Sequence, residues 1–421
     1  MVNLYKRFLE GVNQISCIMI CAWMCWPFFN VKTGTLPVLM FFIIWLLTTD
    51  FRWLIKKGSL DLVFTIMFFM TFFPYIITGS LQYGEAGSNV ILVNFPLFFA
   101  GMFINHYYMY FKKDYVTVGR IALFCLVMFS IGSVQTIWGL EQFPMASRIL
   151  ATANAPMKDF YSSLGIGGFS FVYSAVFVSI ALLYFIIGKK PGLNKYYKIL
   201  ITITFVLFVV MILKALYAIA LILILIGIAL ILILKNKRRL YLIASFLLIF
   251  ILVFPKEIIG QGILQLAFLF GEERVIGEKL IDFASSFLQN EMGEQTAGRF
   301  QLYLTSLKTF LKNPFFGIYG PFGNASDRIG WHSGWLDLMG LYGLFTTVPM
   351  FIAIIINIKK HLFFYSKHPY YRFLLVTQIM FIFFGFINPI IYIYQIGFTF
   401  FLIGPSVPFI PYVFNKKECE I

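Results

Sequence analysis

The sequence predicts an all-α, polytopic membrane protein with about twelve transmembrane helices and one large exoplasmic loop before a late span. Hydrophobic residues make up 60% of the 421-residue chain and charged residues only 12%, and the mean hydropathy is +0.86. Soluble domains carry roughly 25% charged residues. Apolar runs of about 18 residues or more, long enough to cross a bilayer as a helix, recur along nearly the whole length.

The apolar runs also place the individual spans. The seventh and eighth runs are separated only by Lys214, yet residues 197–234 are too long for a single crossing of a ~30 Å hydrocarbon core. We therefore expect two helices there. The twelve predicted spans are 14–29, 36–49, 60–79, 90–105, 116–140, 164–188, 197–213, 215–234, 240–255, 332–358, 373–388 and 390–412.

Lys and Arg residues predict the orientation. With both termini in the cytoplasm, 22 of the 33 basic residues lie on the cytoplasmic side, as the positive-inside rule requires. Nine spans then fill residues 1–254, a large exoplasmic loop covers 255–331, three spans fill 332–412, and 413–421 form a cytoplasmic tail. The net charge of +15 is thus a topology signal. No basic cluster lies on a soluble domain, so a nucleic-acid partner is not predicted.

An amphipathic helix is predicted in the large loop. It begins near Arg299, and apolar residues recur at helical spacing from Phe300 to Leu311. Such a helix is expected to lie in the membrane interface with its apolar face toward the lipid. Asn313-Pro314 ends it, because proline disfavours helix at the preceding residue. Gly317 and Gly320 follow, where the backbone can turn tightly or approach a ligand closely.

His332 and Ser333 stand where the next span begins. Ser333 is a good helix N-cap, and a helix start presents N–H groups that suit a phosphate. His332 is able to accept a proton near neutral pH, and Arg299 carries a planar donor fork for phosphate oxygens. These groups suit a phosphorylated lipid substrate. The alternative is that His332 only reaches to the interface and Arg299 contacts lipid headgroups.

A family resemblance rests on this region. The residues that carry it, over about 298–343, are Arg299, Asn313-Pro314-Phe315-Phe316-Gly317, Gly320, His332-Ser333, Leu336-Asp337 and Gly340 or Gly343. Their order and spacing resemble the bacterial O-antigen ligase and polysaccharide polymerase superfamily, closest to a Wzy-type repeat-unit polymerase. The expected location is then the bacterial cytoplasmic membrane, with polysaccharides of O-antigen, capsule or exopolysaccharide type as products.

The resemblance implies a reaction and roles for residues. Two oligosaccharides linked to polyprenyl (undecaprenyl) diphosphate are joined by glycosyl transfer on the outer face, with no cofactor and no metal. His332 is expected to act as the base and Arg299 to bind the departing diphosphate. Further diphosphate- or substrate-binding residues are expected to be Lys214, Arg148, Arg274, Gly317, Gly320, Ser333 and Asp337. A chain-length regulator and a flippase are the expected protein partners.

The sequence departs from the family pattern in two places. Relatives carry a serine-arginine pair where this chain has Leu213-Lys214, and their usual His-Asn is His332-Ser333 here. Lys214 supplies a point charge without a bidentate fork. It is read either as a substitute for that arginine or as a lysine that sets the topology. Arg148, in an earlier outer loop, resembles an arginine of relatives only loosely.

Two alternative functions remain open. A ligase of the same superfamily would transfer finished glycan to a lipid core or protein. A flippase or other transporter would need polar residues buried within spans, and only Asn94, Gln135 and Gln378 stand out there. No metal site is predicted, because three of the four histidines, all except His332, fall on the expected cytoplasmic side.

Overall fold

The computed structural model describes residues 2–56, 58–77, 90–151, 157–188, 193–234, 294–319, 329–390 and 393–414, together with single positions between 261 and 284. Over these residues the regular structure is helical, with no strand. The helices are α1 (Val2–Cys25), α2 (Pro27–Thr33), α3 (Thr35–Leu47), α4 (Arg52–Ile55), α5 (Leu60–Ile77), α6 (Val90–Phe111), α7 (Tyr115–Gln142), α8 (Ala146–Ile149), α9 (Lys158–Ser163), α10 (Phe169–Ile187), α11 (Lys195–Lys214), α12 (Ala218–Ile233), α13 (Glu294–Lys312), α14 (Gly334–Phe364), α15 (Tyr371–Ile387) and α16 (Tyr394–Phe414).

Eight of the described helices are long and apolar enough to cross a membrane: α1, α5, α6, α7, α10, α11, α14 and α16. Helices α2 and α3 are bent by 97° and would make a ninth span if they act as one. Helices α12 and α15 are apolar but shorter. The predicted class, an all-helical polytopic membrane protein, agrees with this fold. The predicted count of twelve and the orientation of the termini stay predictions, and the predicted span 240–255 lies outside the described residues.

Helices α6, α10 and α16 form the centre of the bundle. Between 78% and 94% of each apolar window in these three helices is buried by other parts of the protein, against 22% for α11. Glycines allow α6 and α16 to pack closely: a Cβ on Gly101 would lie 2.8 Å from the carbonyl oxygen of Phe398. Small residues serve the same purpose at many helix contacts in membranes, where close packing replaces the hydrophobic effect.

Residues 195–233 form two helices rather than one. Helix α11 ends at Lys214 and α12 begins at Ala218, with Leu216 between them in a left-handed conformation at φ 57°. A non-glycine residue rarely adopts this conformation, which cannot continue a right-handed helix. The break after Lys214 agrees with the prediction of two elements, although α12 has only 16 residues.

The predicted amphipathic helix is present as α13, and its polar face has a partner that was not predicted. The apolar stripe points away from the protein, and Phe300, Leu307 and Leu311 are exposed. The buried face carries Ser306 and Thr309, which pack beside Gly340 of α14. Small side chains let the two helices approach closely. The outward apolar stripe is therefore free to contact lipid, as expected for an interfacial helix.

The turn after α13 fills a break in α14. Gly343 has φ 63° inside α14, so the helical hydrogen bonds are interrupted there. Backbone groups of the turn replace them: the N–H of Ile318 donates to Gly340 O at 3.1 Å, and the N–H of Leu344 donates to Pro314 O at 2.8 Å. Unpaired backbone groups are costly within a membrane, so this pairing stabilises the broken span.

Candidate functional site

A cavity of about 870 Å³ lies at one end of the helical bundle. Residues of α2, the short helices α8 and α9 and the first turns of α10 border it. The connection between α11 and α12, the residues after α15, the residues preceding α14 and the start of α16 complete the border. Polar and charged lining residues are Asn30, Arg148, Lys158, Ser162, Ser170, Tyr173, Tyr217, His332, Asn388, Tyr394 and Gln395. The lining residues that the structure describes include no Asp or Glu. We call this space the first cavity.

His332 lines the first cavity in a defined orientation. Its Nδ1 lies 3.0 Å from the carbonyl oxygen of Gly330. A carbonyl oxygen only accepts hydrogen bonds, so in the neutral ring Nδ1 carries the hydrogen and donates it. The Nε2 atom is then left with a free lone pair. This is the tautomer that a general base needs.

Two residues at the rim of the first cavity hold a strained backbone. Trp331, directly before His332, has φ 59°, and Leu216 has φ 57°. Both line the cavity. Such conformations cost non-glycine residues about 1–3 kcal/mol and occur preferentially at functional sites. The strain at Trp331 sets the direction in which the chain presents His332.

Arg148 lies on the first cavity because a buried network fixes the short helix α8. The Ser147 hydroxyl donates to Gly167 O at 2.6 Å, and the Tyr217 hydroxyl donates to Ser147 O. Burial raises the pKa of Tyr217, an effect that the nearby positive charge of Arg148 partly opposes. No carboxylate of the described residues pairs with Arg148. Its guanidinium is therefore available to an anionic ligand.

Three further lining residues were not predicted from the sequence. Lys158 adds a second cation that no described carboxylate pairs with. Asn388 and Gln395 are 7% and 4% exposed, and the Asn388 Nδ2 and Gln395 Oε1 atoms have no hydrogen-bond partner among the described residues. Buried polar groups normally have a partner. Lys158 left a sequence signal because it belongs to the same predicted outer loop as Arg148, and Gln395 left one because it is a polar residue within the predicted span 390–412.

Asp337 and Ser333 hold the segment that carries His332. The Ser333 hydroxyl accepts from the N–H of Leu336 at 3.4 Å, so Ser333 caps α14 as predicted. In return the N–H of Ser333 donates to Asp337 Oδ2 at 3.0 Å. The other carboxylate oxygen of Asp337 accepts from Ser306 of α13. Asp337 is therefore a positioning residue, buried between the two helices and their connecting turn.

The remaining predicted site residues lie apart from the first cavity or outside the described side chains. Lys214 does not line the cavity and forms an ion pair with Glu141. A Cβ on Gly317 would lie 2.3 Å from the backbone of Leu341, so its close approach is to the protein itself. Arg274 and Gly320 lie outside the described residues.

Arg299 is placed by its backbone alone. It lies in α13, three residues before Leu302. A Cβ on Gly330 would lie 2.1 Å from Leu302 O, so α13 runs directly against the turn that leads to His332. Three residues correspond to about 4.5 Å along a helix. Arg299 is thus less than one helical turn from that contact.

No protein-family model matches the sequence, and a search of curated proteins found no match. Within the described residues no group of His, Cys, Asp and Glu side chains is arranged to hold a metal ion. Fold and apolar helices together define the class as a polytopic α-helical membrane protein.

Proposed function

We propose that this protein is a polysaccharide polymerase. It joins oligosaccharide repeat units carried on polyprenyl diphosphate, and it works on the outer face of a bacterial cytoplasmic membrane. The proposal rests on one observation above all: the first cavity brings a correctly oriented His332 together with Arg148 and Lys158, with no described carboxylate in its lining.

The charge of the first cavity suits a diphosphate leaving group. When the bond between the anomeric carbon and the diphosphate oxygen breaks, negative charge develops on that oxygen. Arg148 offers a planar donor fork and Lys158 a point charge, both suited to phosphate oxygens. Well-placed donors of this kind are typically worth about 10²–10³ in rate each. Arg299 is assigned the same role in the proposal.

In the proposed reaction His332 is the general base that activates the sugar hydroxyl of the acceptor. The free Nε2 lone pair removes the proton from a sugar hydroxyl as its oxygen bonds to the anomeric carbon. The proton is then on His332, and the lipid diphosphate leaves as an anion. General-base catalysis of this kind contributes about 10²–10⁴ in rate.

The rest of the cavity wall suits a sugar chain. Six aromatic side chains, those of Phe169, Phe171, Tyr173, Tyr217, Trp331 and Tyr394, line it. Aromatic faces offer flat apolar surfaces to sugar rings, while the unpartnered amide atoms of Asn388 and Gln395 offer hydrogen bonds to hydroxyls. A volume of about 870 Å³ is at the upper part of the range for small-molecule sites, which leaves space for a diphosphate and sugar residues.

The same first cavity would serve a ligase that transfers finished glycan to a lipid core or protein, because the two reactions share the donor. Surface-glycan length separates them. Cells without the gene should carry single repeat units if the protein is a polymerase, and no surface glycan if it is a ligase or flippase. A flippase remains the alternative from a different class.

The direct test uses purified protein in detergent with polyprenyl-diphosphate oligosaccharides and a chelator, and it measures the ladder of polymer lengths. His332→Gln and His332→Ala should both lose about 10²–10⁴ in rate, since glutamine keeps hydrogen bonding but accepts no proton. Arg148→Ala should lose about 10²-fold or more. Arg52→Ala, at an exposed arginine outside the cavity, is the matched control and should stay active. Full polymerisation by His332→Gln would contradict the assignment of the base.

A further inference from the structure

A second cavity, of about 760 Å³, lies at the opposite end of the helical bundle from the first cavity. It is bordered by the residues before α5, the last turns of α6 and α14, and the connection between α14 and α15. Its polar lining residues include Lys56, His106, Lys360, Ser366, Lys367 and His368. The described lining contains no Asp or Glu.

A buried ionisable cluster forms the inner wall of the second cavity. Asp61 of α5 is fully buried, pairs with Lys360 of α14, and accepts from Asn357 Nδ2 at 2.8 Å. The Lys360 ammonium also donates to His106 Nδ1 at 2.9 Å. Asp61 lies within the predicted span 60–79, but it was not predicted as a polar residue of functional interest. Ionisable groups within membrane helices are costly and mark functional sites by default.

The Asp61–Lys360 pair is not closed off from the second cavity. An ammonium has three donors, and two of those on Lys360 are used by Asp61 and His106. Lys360 itself lines the cavity, so its positive charge attracts an anionic ligand there. The turn of α6 at this place is π-helical over His106–Phe111, a local irregularity that is frequent at functional sites.

Both lining histidines present a donor. His106 Nδ1 accepts from Lys360, and His368 Nδ1 accepts from the backbone N–H of Tyr370 at 3.1 Å. In each neutral ring the hydrogen is therefore on Nε2. Burial lowers the pKa of His368, which favours the neutral form of the ring. Together with the lysines and the Ser366 hydroxyl, the wall offers many donors.

We propose that the second cavity is a binding site for a phosphate group, carried either by a membrane lipid or by a free phosphate compound. A phosphate presents acceptors in several directions and negative charge, which match imidazole N–H donors, a hydroxyl and three ammonium groups. The site lies at the opposite helix ends from the proposed reaction and does not rest on the proposed function.

The test uses the full-length protein and two probes. Inorganic phosphate is titrated into detergent-purified protein and followed by calorimetry. In parallel, thermal unfolding is measured in phosphatidylcholine nanodiscs with and without phosphatidic acid. Binding of free phosphate identifies a soluble ligand, and stabilisation only by phosphatidic acid identifies a lipid headgroup; either result supports the site if the variants below agree.

The variants separate this site from general charge effects and from the first cavity. His368→Ala combined with Lys367→Ala removes two lining donors without disturbing the buried pair, and should weaken binding roughly tenfold or more. Lys359→Ala, at an exposed neighbour on α14 outside the cavity, should leave binding unchanged. No response to either probe would overturn the proposal. An equal response in the double variant would also overturn it.

Discussion

Ser306 of α13 donates its hydroxyl hydrogen to Asp337 of α14 over 2.5 Å, and both residues are fully buried or nearly so. The same Ser306 oxygen accepts from the N–H of Gly330 at 2.9 Å, while Asp337 accepts from the N–H of Ser333. The two residues thus clamp both ends of the turn 330–333. His332 lies within this turn, so its position depends on a contact between two residues that are 31 positions apart in the chain.

Removing the carboxylate of Asp337 should loosen this turn. Asp337→Ala leaves the Ser306 hydroxyl and the Ser333 N–H without an acceptor, at about 1–3 kcal/mol for each buried group. We expect a lower midpoint of thermal unfolding and reduced polymerisation, whereas Ser306→Ala should show a smaller loss of the same kind. Asp159→Ala, at an exposed carboxylate of α9, is the control. Unchanged stability of Asp337→Ala would show that the clamp contributes nothing.

Gly317 should be required for folding. Its φ of 66° is unfavourable for other residues, and a Cβ would lie 2.3 Å from the backbone of Leu341. We expect Gly317→Ala to detach the turn from the break in α14 and to lower both the unfolding temperature and the protein yield. Gly298→Ala in α13 has no atom within 4 Å of the new Cβ and should be neutral or slightly stabilising. A stable but inactive Gly317→Ala protein would instead favour a role in substrate binding.

Substitutions of Arg299 test whether a bidentate hydrogen-bond donor is needed beside the turn that carries His332. Arg299→Lys keeps the charge but loses the planar fork, so the length of the polymer should fall nearly as much as with Arg299→Ala. Lys308→Ala, on the same helix, serves as the control and should have a mild effect. Wild-type polymer lengths with Arg299→Lys would mean that this residue only anchors the helix at the membrane surface.

Orientation is testable by thiol labelling in whole cells. Met157 and Ser366 are exposed residues near the first and second cavities, respectively. In a background with Cys419→Ser, Met157→Cys should react with an impermeant reagent and Ser366→Cys should not. The four described native cysteines are buried and should stay silent. Labelling of Ser366→Cys alone would reverse the topology and remove the outer-face reaction.

Local features of the fold were predictable from the sequence. The amphipathic helix that ends at Lys312, the N-cap at Ser333 and the break after Lys214 depend on residues within a few positions of one another. Helical spacing, proline and capping chemistry act over that range. The exposed apolar stripe of α13 follows from the same pattern, whereas the packing of its opposite face against Gly340 does not.

The sequence by itself determined the class of protein, since a bilayer admits only apolar helices whose backbone groups bond internally. It also determined the position of His332 before a late span. Only the tertiary structure decided that Arg148 rather than Lys214 shares a cavity with this histidine, and that Asn388 and Gln395 face it too. The physical reason is that helix packing joins residues from distant parts of the chain. The hydrophobic periodicity of a single helix does not specify which polar side chains come together, because nearly every face of these helices is apolar.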